Sequence, residues 1–267
     1  MKAINVFEAE YQKLYKKLLF LHKTSRVGHI GGSISALPVV YVLFSGVFNV
    51  NTDKLVFSKG HTVTALYCTL ALRGLLPGSD LEQFYSDGGR LGGHPPKYLT
   101  QFCPFATGSL GHGSSLAAGL ALGKKLKGEQ GRIFCICGDG EWQEGACWEA
   151  LIFCVRHHLD NITFVVDCNG WQGFGAVSDV AGYDEKGLER RLTAFGAHVE
   201  GCSAYDFERL ASLLVSSTTS VPSFLLTKSC KGKGLPNYED TLASHYVQIS
   251  DSLYDSALEK LEYANEK

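Results

Sequence analysis

An α/β fold, with a parallel sheet flanked by helices on both faces, is predicted by three features of this sequence. Apolar runs of strand length alternate with segments of helical period along most of the 267 residues. Two of those runs end in glycine-bearing turns, Gly138-Asp139-Gly140 and Asn169-Gly170, as strand-to-helix turns in such sheets do. The 45% hydrophobic content is sufficient for a large core. Neither repeat nor linker interrupts the pattern, which gives a single domain over 1–267.

The elements follow in order. "FEAEYQKLYKKLLFLHKTS" places apolar residues at helical spacing and predicts an amphipathic helix. "RVGHIGGSISALPVVYVLFSGV" reads as a loop entering a buried helix. "DKLVFSKGHTVTALYCTLALRGLL" gives a short strand, a loop at Ser58-Lys59-Gly60-His61 and an apolar helix. Residues 86–107, rich in Gly and Pro, are loop. "GSLGHGSSLAAGLALGKKL" is loop then helix, with small side chains suited to close packing. Strands at 132–137, 162–167, 197–200 and 223–227 then alternate with helices at 141–158, around 185–194, around 205–217 and around 250–263.

A net charge of −2 gives no reason to expect nucleic acid or an anionic membrane as partner. No stretch reaches about 18 uninterrupted apolar residues, and the N-terminal segment carries charges at helical spacing rather than a secretory core. Nine cysteines, many inside apolar runs, read as small buried residues in a reducing compartment, so the chain is expected in the cytoplasm. Cys135 and Cys137 lack a second ligand pair, which argues against zinc. Lysines 124, 125 and 127 read as decoration of a helix end; Lys228, Lys231 and Lys233 form a second basic group.

The two turns carry the chemistry. In open parallel sheets, ligands sit beyond the carboxyl ends of the strands, where helix N-termini present free N–H groups. Gly138 and Gly140 let backbone approach a ligand, and Asp139 projects a carboxylate into the same space. Asn169 follows 30 positions later at the end of the next strand, so the chain returns to the same sheet edge. A carboxylate and an amide oxygen suit Mg²⁺ or Ca²⁺, and Mg²⁺ is commonly completed by phosphate oxygens. The pair therefore reads as a metal–diphosphate cradle.

Four histidines occupy settings that need no histidine for packing: His29 in "GHIGG", His61 in "SKGH", His94 in "GGHP" and His245 in "LASHY". Imidazole donates well to hydroxyl, carbonyl and phosphate oxygens near neutral pH. His22, His157 and His158 read instead as surface groups. "LGHGSS" is not a dinucleotide loop, because no strand precedes it and the third glycine is missing.

"GDGEWQEG" followed by "DCNGWQ" resembles the thiamine diphosphate-binding motif. "GHIGG", "SKGH", "GGHP", "TGSLGHG" and "KGKGLPNYEDTLASH" are similar, in this order, to the cofactor half of the transketolase family. The resemblance covers nearly the whole chain and implies the thiamine diphosphate-binding fold of the pyrophosphate (PP) type. It assigns the metal to Asp139, Asn169 and the carbonyl of Trp171, and the diphosphate to Gly140, His61 and His245. By the same resemblance Gly108, Ser109 and Leu110 line the aminopyrimidine and thiazolium. His29, His94 and His245 surround the sugar's carbonyl and first hydroxyls, and Glu144 lies near a subunit boundary.

Four positions depart from the family pattern: Val27, Ile30, His112 and Tyr246, the last where glycine is usual. The pyrimidine-binding half, with its glutamate and the family's sugar-phosphate clamp, is expected on a partner chain, in a heterotetramer. The implied reaction is transfer of a two-carbon ketol unit from a ketose to an aldose. The α subunit of a 2-oxo acid dehydrogenase, a deoxyxylulose-phosphate synthase and a cofactor-binding relic without turnover stand as alternatives.

Overall fold

In the computed structural model, which describes residues 2–99, 101–216 and 220–265, every expected strand joins one sheet. The chain runs α1 (Lys2–Ser25), α2 (Ile30–Val42), β1 (Lys54–Phe57), α3 (Thr64–Leu72), α4 (Gly78–Glu82), α5 (His112–Lys127), β2 (Ile133–Gly138), α6 (Gly145–Arg156) and β3 (Ile162–Cys168). It continues through β4 (Trp171–Gln172), β5 (Gly175–Ala176), α7 (Val177–Ala181), α8 (Glu185–Ala194), β6 (His198–Ser203), α9 (Phe207–Val215), β7 (Ser223–Lys228) and α10 (Asp251–Asn265). The five-stranded sheet has the order β1-β2-β3-β7-β6, and all of its pairings are parallel.

Side-chain alternation divides the interior in two, as a sheet covered on both faces requires. Leu55, Phe57, Phe134, Ile136, Val165 and Leu225 point to the layer that includes α2, α3 and α9. Their neighbours Val56, Cys135, Cys137, Phe164, Val166 and Phe224 point to the layer of α5, α6 and α8. Phe164 and Phe224 stack across paired strands with centroids 4.7 Å apart. Burial of each such ring is worth about 2–3 kcal/mol.

α2 is buried on every side. With its π-helical continuation it forms an 18-residue span, Ile30–Val47, of mean hydropathy 1.8, long and apolar enough to cross a membrane. Most of that span (83%) is inside the fold, so its apolarity is accounted for by packing against α1 and α3.

Three differences from the sequence reading have local causes. The helix expected over 141–158 begins as a 3₁₀ turn, Gly140–Gln143, before α6. The β4–β5 hairpin and the short α4 and α7 are additions, since two- to five-residue elements carry no readable period. His22 is a correction: it is 1% exposed and hydrogen-bonded to Thr64 Oγ1 at 2.9 Å, while His157 and His158 are exposed as expected. All nine cysteines are free, and seven of them are buried. The last expected residue of the 205–217 helix lies outside the described residues.

Candidate cofactor site

Parallel strands bring their carboxyl ends to one edge, and the loops after β1, β2, β3 and β7 meet there around a cleft of about 520 Å³. The loop after β1 supplies Lys59 and His61, that after β2 supplies Asp139 and Glu144, and that after β3 supplies Asn169 and Trp171. The segment after β7 returns Lys231 and His245. His29 enters from the start of α2 with a left-handed backbone, φ 66°.

Glu141 fastens the loop after β1 and the turn before α5 to the end of β2. Its carboxylate, 2% exposed, accepts from Ser58 Oγ, from the Gly111 amide at 2.8 Å and from the Gly138 amide at 3.1 Å. Gly113, in the first turn of α5, packs so closely on Ser58 that a Cβ there would lie 2.8 Å from the Ser58 Cα. Only glycine allows that approach.

Asp139 and Asn169 converge, as the spacing of the two turns predicts. The Asp139 carboxylate accepts from the Gly170 amide, next to Asn169, at 2.7 Å and from the Gly140 amide at 2.8 Å. It is 6% exposed, and no cation pairs with it among the described residues. Burial, then the nearby Asp167, push its pKa up to about 6. Asn169 donates to Ser35 Oγ at 3.1 Å and to Asp167 at 3.3 Å, and its Oδ1 accepts from the Trp171 amide. Asp167 in turn accepts from Ser35, Lys59 and Ser229.

Among the described residues, no three His, Cys, Asp or Glu side chains cluster to hold a metal. The available donors are one buried carboxylate, one amide oxygen and the Trp171 carbonyl. That set fits a hard divalent cation completed by phosphate oxygens rather than a protein cage. Bringing such a charge to Asp139 would relieve an otherwise uncompensated buried carboxylate.

Lys231 is the cleft's second uncompensated ion. It is 2% exposed, and its Nζ donates to the Trp171 carbonyl at 3.2 Å and to His245 Nδ1 at 2.8 Å, with no ion-pair partner within 4.0 Å among the described residues. Burial, then the charge of Lys59, lower its pKa to about 8. An anionic ligand would complete it.

Three histidines gather beside it. Ring centroids of His29 and His245 are 4.8 Å apart, those of His29 and His61 5.2 Å, and those of His61 and His245 5.9 Å. His94 lies against Gly60 and Gly108, where added Cβ atoms would stand 3.1 and 3.4 Å from its Cδ2. Burial lowers the pKa of all four, that of His245 to about 3 and that of His61 well below the ordinary value. They are therefore neutral donors near pH 7. Because Lys231 donates to Nδ1 of His245, the proton of that ring is on Nε2.

The remaining expected residues flank the cleft. Gly138, Gly140, Gly108 and Leu110 line it, with Ser109 exposed between the last two. Glu144 stands exposed at its outer edge as the residue before α6. Sequence reasoning missed Lys59, Lys231, Glu141 and Asp167. The available signals were a lysine in each of two glycine-bearing loops ("SKGH" and "KGKG") and a carboxylate beside each of the Gly138-Asp139-Gly140 and Asn169-Gly170 turns.

Residues 20–267 match the family described as transketolase, thiamine diphosphate binding domain. The chain is 33% identical over 246 residues to the 6-deoxy-6-sulfo-D-fructose transketolase subunit of a Clostridium species, covering 88% of this chain and 89% of that one. It is 30% identical over 264 residues to an apulose-4-phosphate transketolase subunit of Actinobacillus succinogenes, covering 95% of each. Among solved structures, transketolase from Leishmania mexicana superposes with a TM-score of 0.85 at 25% identity, and transketolase from Campylobacter jejuni with 0.84 at 28%. These alignments cover 97% and 95% of this chain but only 41% and 43% of those chains. With its cleft built from the matching motifs, the chain belongs to the transketolase family, as a thiamine diphosphate-binding domain.

Proposed function

We propose that this chain is the cofactor-binding subunit of a two-subunit transketolase, moving a two-carbon ketol unit from a ketose to an aldose acceptor. The observation that carries this is the convergence of an unpaired buried carboxylate, Asp139, and an unpaired buried cation, Lys231, on one cleft. Together they match the opposite charges of a divalent metal and a diphosphate. Asp139, Asn169 and the Trp171 carbonyl would hold Mg²⁺, or Ca²⁺ in its place. Lys231, His61, His245 and the Gly140 amide would hold the diphosphate.

Thiamine diphosphate, when bound, supplies the carbanion chemistry that ketol transfer needs. The protein's own part is orientation and proton handling. Nε2–H of His245, with His29 and His94, would donate to the sugar's carbonyl and first hydroxyl oxygens, and neutral imidazoles can also take those protons back. Gly108, Ser109 and Leu110 would support the rings of the cofactor. Glu144, exposed beside the cleft, would face the partner.

The partner would be a C-terminal subunit carrying the pyrimidine-binding glutamate, in a heterotetramer. Two of the relatives are themselves named as transketolase subunits, which supports this division. The free thiols fit a cytoplasmic location. The match to a transketolase family, over residues 20–267, favours this reading over a 2-oxo acid dehydrogenase subunit.

The test is reconstitution with the partner subunit, thiamine diphosphate and Mg²⁺. Ketol transfer from a ketose is expected, and Asp139→Ala should weaken metal-dependent cofactor binding by about a hundredfold or more, read by calorimetry. Unchanged binding would reject the site, and cofactor binding without turnover on any ketose would leave a binding protein.

A further inference from the structure

Tyr246 closes one side of the cleft. Its hydroxyl donates to the Gly173 carbonyl at 2.6 Å, which ties the turn at Leu242–His245 to the β4–β5 hairpin. Its ring stands edge-on to His245, with centroids 4.8 Å apart at 62°. The tyrosine is nevertheless 59% exposed, and Phe174, next along the hairpin, is 89% exposed. A side chain at position 173 would crowd the clasp, since a Cβ there would lie 3.2 Å from Tyr246 Oη and 3.7 Å from His245 Nε2. Gly173 and Tyr246 are thus a matched pair.

Charge at this mouth is equally specific. The lysines that line the cleft, Lys59 and Lys231, are both 2% exposed at its floor, and among the described residues no arginine lines it. The rim beside His245 offers aromatic faces and a phenol oxygen. That oxygen has committed its hydrogen to Gly173 and keeps a lone pair for a ligand hydroxyl. Such a surface suits the C–H face and hydroxyls of a neutral carbon chain, and offers nothing to a phosphate.

We propose that Tyr246, clasped to Gly173, is a specificity-determining residue that contacts the sugar chain beyond the two carbons held by His29, His94 and His245. It thereby selects among ketoses by chain length. This rests on the transketolase reading above.

The experiment uses the complex with its C-terminal subunit, thiamine diphosphate and Mg²⁺, and measures kcat and KM for a pentulose, a hexulose and a heptulose, each with and without terminal phosphate. Tyr246→Gly should raise KM for the preferred ketose about tenfold and flatten the preference among chain lengths, with the smaller change in kcat. Tyr246→Phe, which keeps the ring and loses the clasp, should give roughly a threefold effect in the same direction. Gly173→Ala should alter the same ratios by displacing the phenol, and it provides the measurement should the glycine variant fold poorly. The ratio between phosphorylated and unphosphorylated forms should stay as in the wild type. Chain-length preferences unchanged in all three variants would overturn the proposal. Absence of ketol transfer by the wild-type complex on every ketose would instead overturn the transketolase reading.

Discussion

Lys59 and Lys231 are buried to the same extent, 2% exposed, at the same edge of the sheet, yet they meet opposite surroundings. Lys59 pairs with Asp167, itself 1% exposed, whose oxygens also accept from Ser35, Ser229 and Asn169. Lys231 meets only a peptide carbonyl and an imidazole among the described residues. A buried charge without a counter-ion is costly, and a fold keeps one where a ligand will supply the missing charge. The region behind Asn169 is therefore a finished frame, while the floor of the cleft is complete only with its ligands.

Breaking the finished pair should have the larger effect. Lys59→Met leaves Asp167 buried without its cation and should cost about 3–5 kcal/mol of unfolding free energy, measured by denaturant titration. Asp167 also anchors the Asn169 amide, so Asp167→Asn should destabilise comparably and weaken cofactor binding as well. The double replacement Lys59→Met with Asp167→Leu should recover most of the stability but not the affinity, because the Asn169 amide would keep only Ser35 of its two anchors. A double variant no more stable than either single one would show that the pair is not what holds this region.

Acid should produce a somewhat smaller change, and it touches both regions. Burial lowers the pKa of His22, in the frame, to about 4, and that of His245, in the cleft, to about 3. In the unfolded chain each returns to about 6.5, so the unfolded state binds protons more readily as pH falls. The stabilisation is complete above pH 6.5 and is lost as pH drops toward 4, by up to about 3 kcal/mol for the buried His22 and by less for the half-buried, solvent-screened His245. Asp139 opposes this: its folded pKa of about 6 lies above the unfolded value, so protonation between pH 6 and 4 favours the fold. With His61 also lowered, the imidazoles outweigh it, and unfolding midpoints should decline between pH 6.5 and 4.5. His22→Asn should flatten that decline. An unflattened decline would mean His22 is not held neutral.

The frame was more legible than its charges. Strand order aside, the sheet could be read because each strand is a short apolar run bounded by turns, and alternate residues enter different layers. Asp139 and Asn169 could be read because their residue types stand at strand ends with a crossover between them. The pairings of Lys59, Asp167 and Glu141 could not, since their partners come from distant loops that only the folded sheet brings together: Ser58 lies 83 residues from Glu141. His22 was legible in principle. It continues the α1 face of Tyr15, Leu18 and Leu19, all buried, which a helical-spacing count places toward the core.

Replacing the unfinished ion should leave the fold almost untouched, and this sharpens the comparison most. Lys231→Met removes a buried cation that has no counter-ion while retaining most of the side-chain volume, so unfolding free energy should change by less than about 1 kcal/mol, or rise. Affinity for thiamine diphosphate should fall about ten- to a hundredfold, the loss of one charge-assisted contact to an anion. Affinity for thiamine itself, which carries no diphosphate, should be unaffected. The same substitution frees Nδ1 of His245 from its donor, so the ring can place its proton on either nitrogen and the fixed Nε2–H is lost. Two consequences with different readouts thus belong to one residue, diphosphate affinity in calorimetry and the His245 tautomer in nitrogen NMR. Stability lost as heavily as in Lys59→Met would instead mean that Lys231 belongs to the frame.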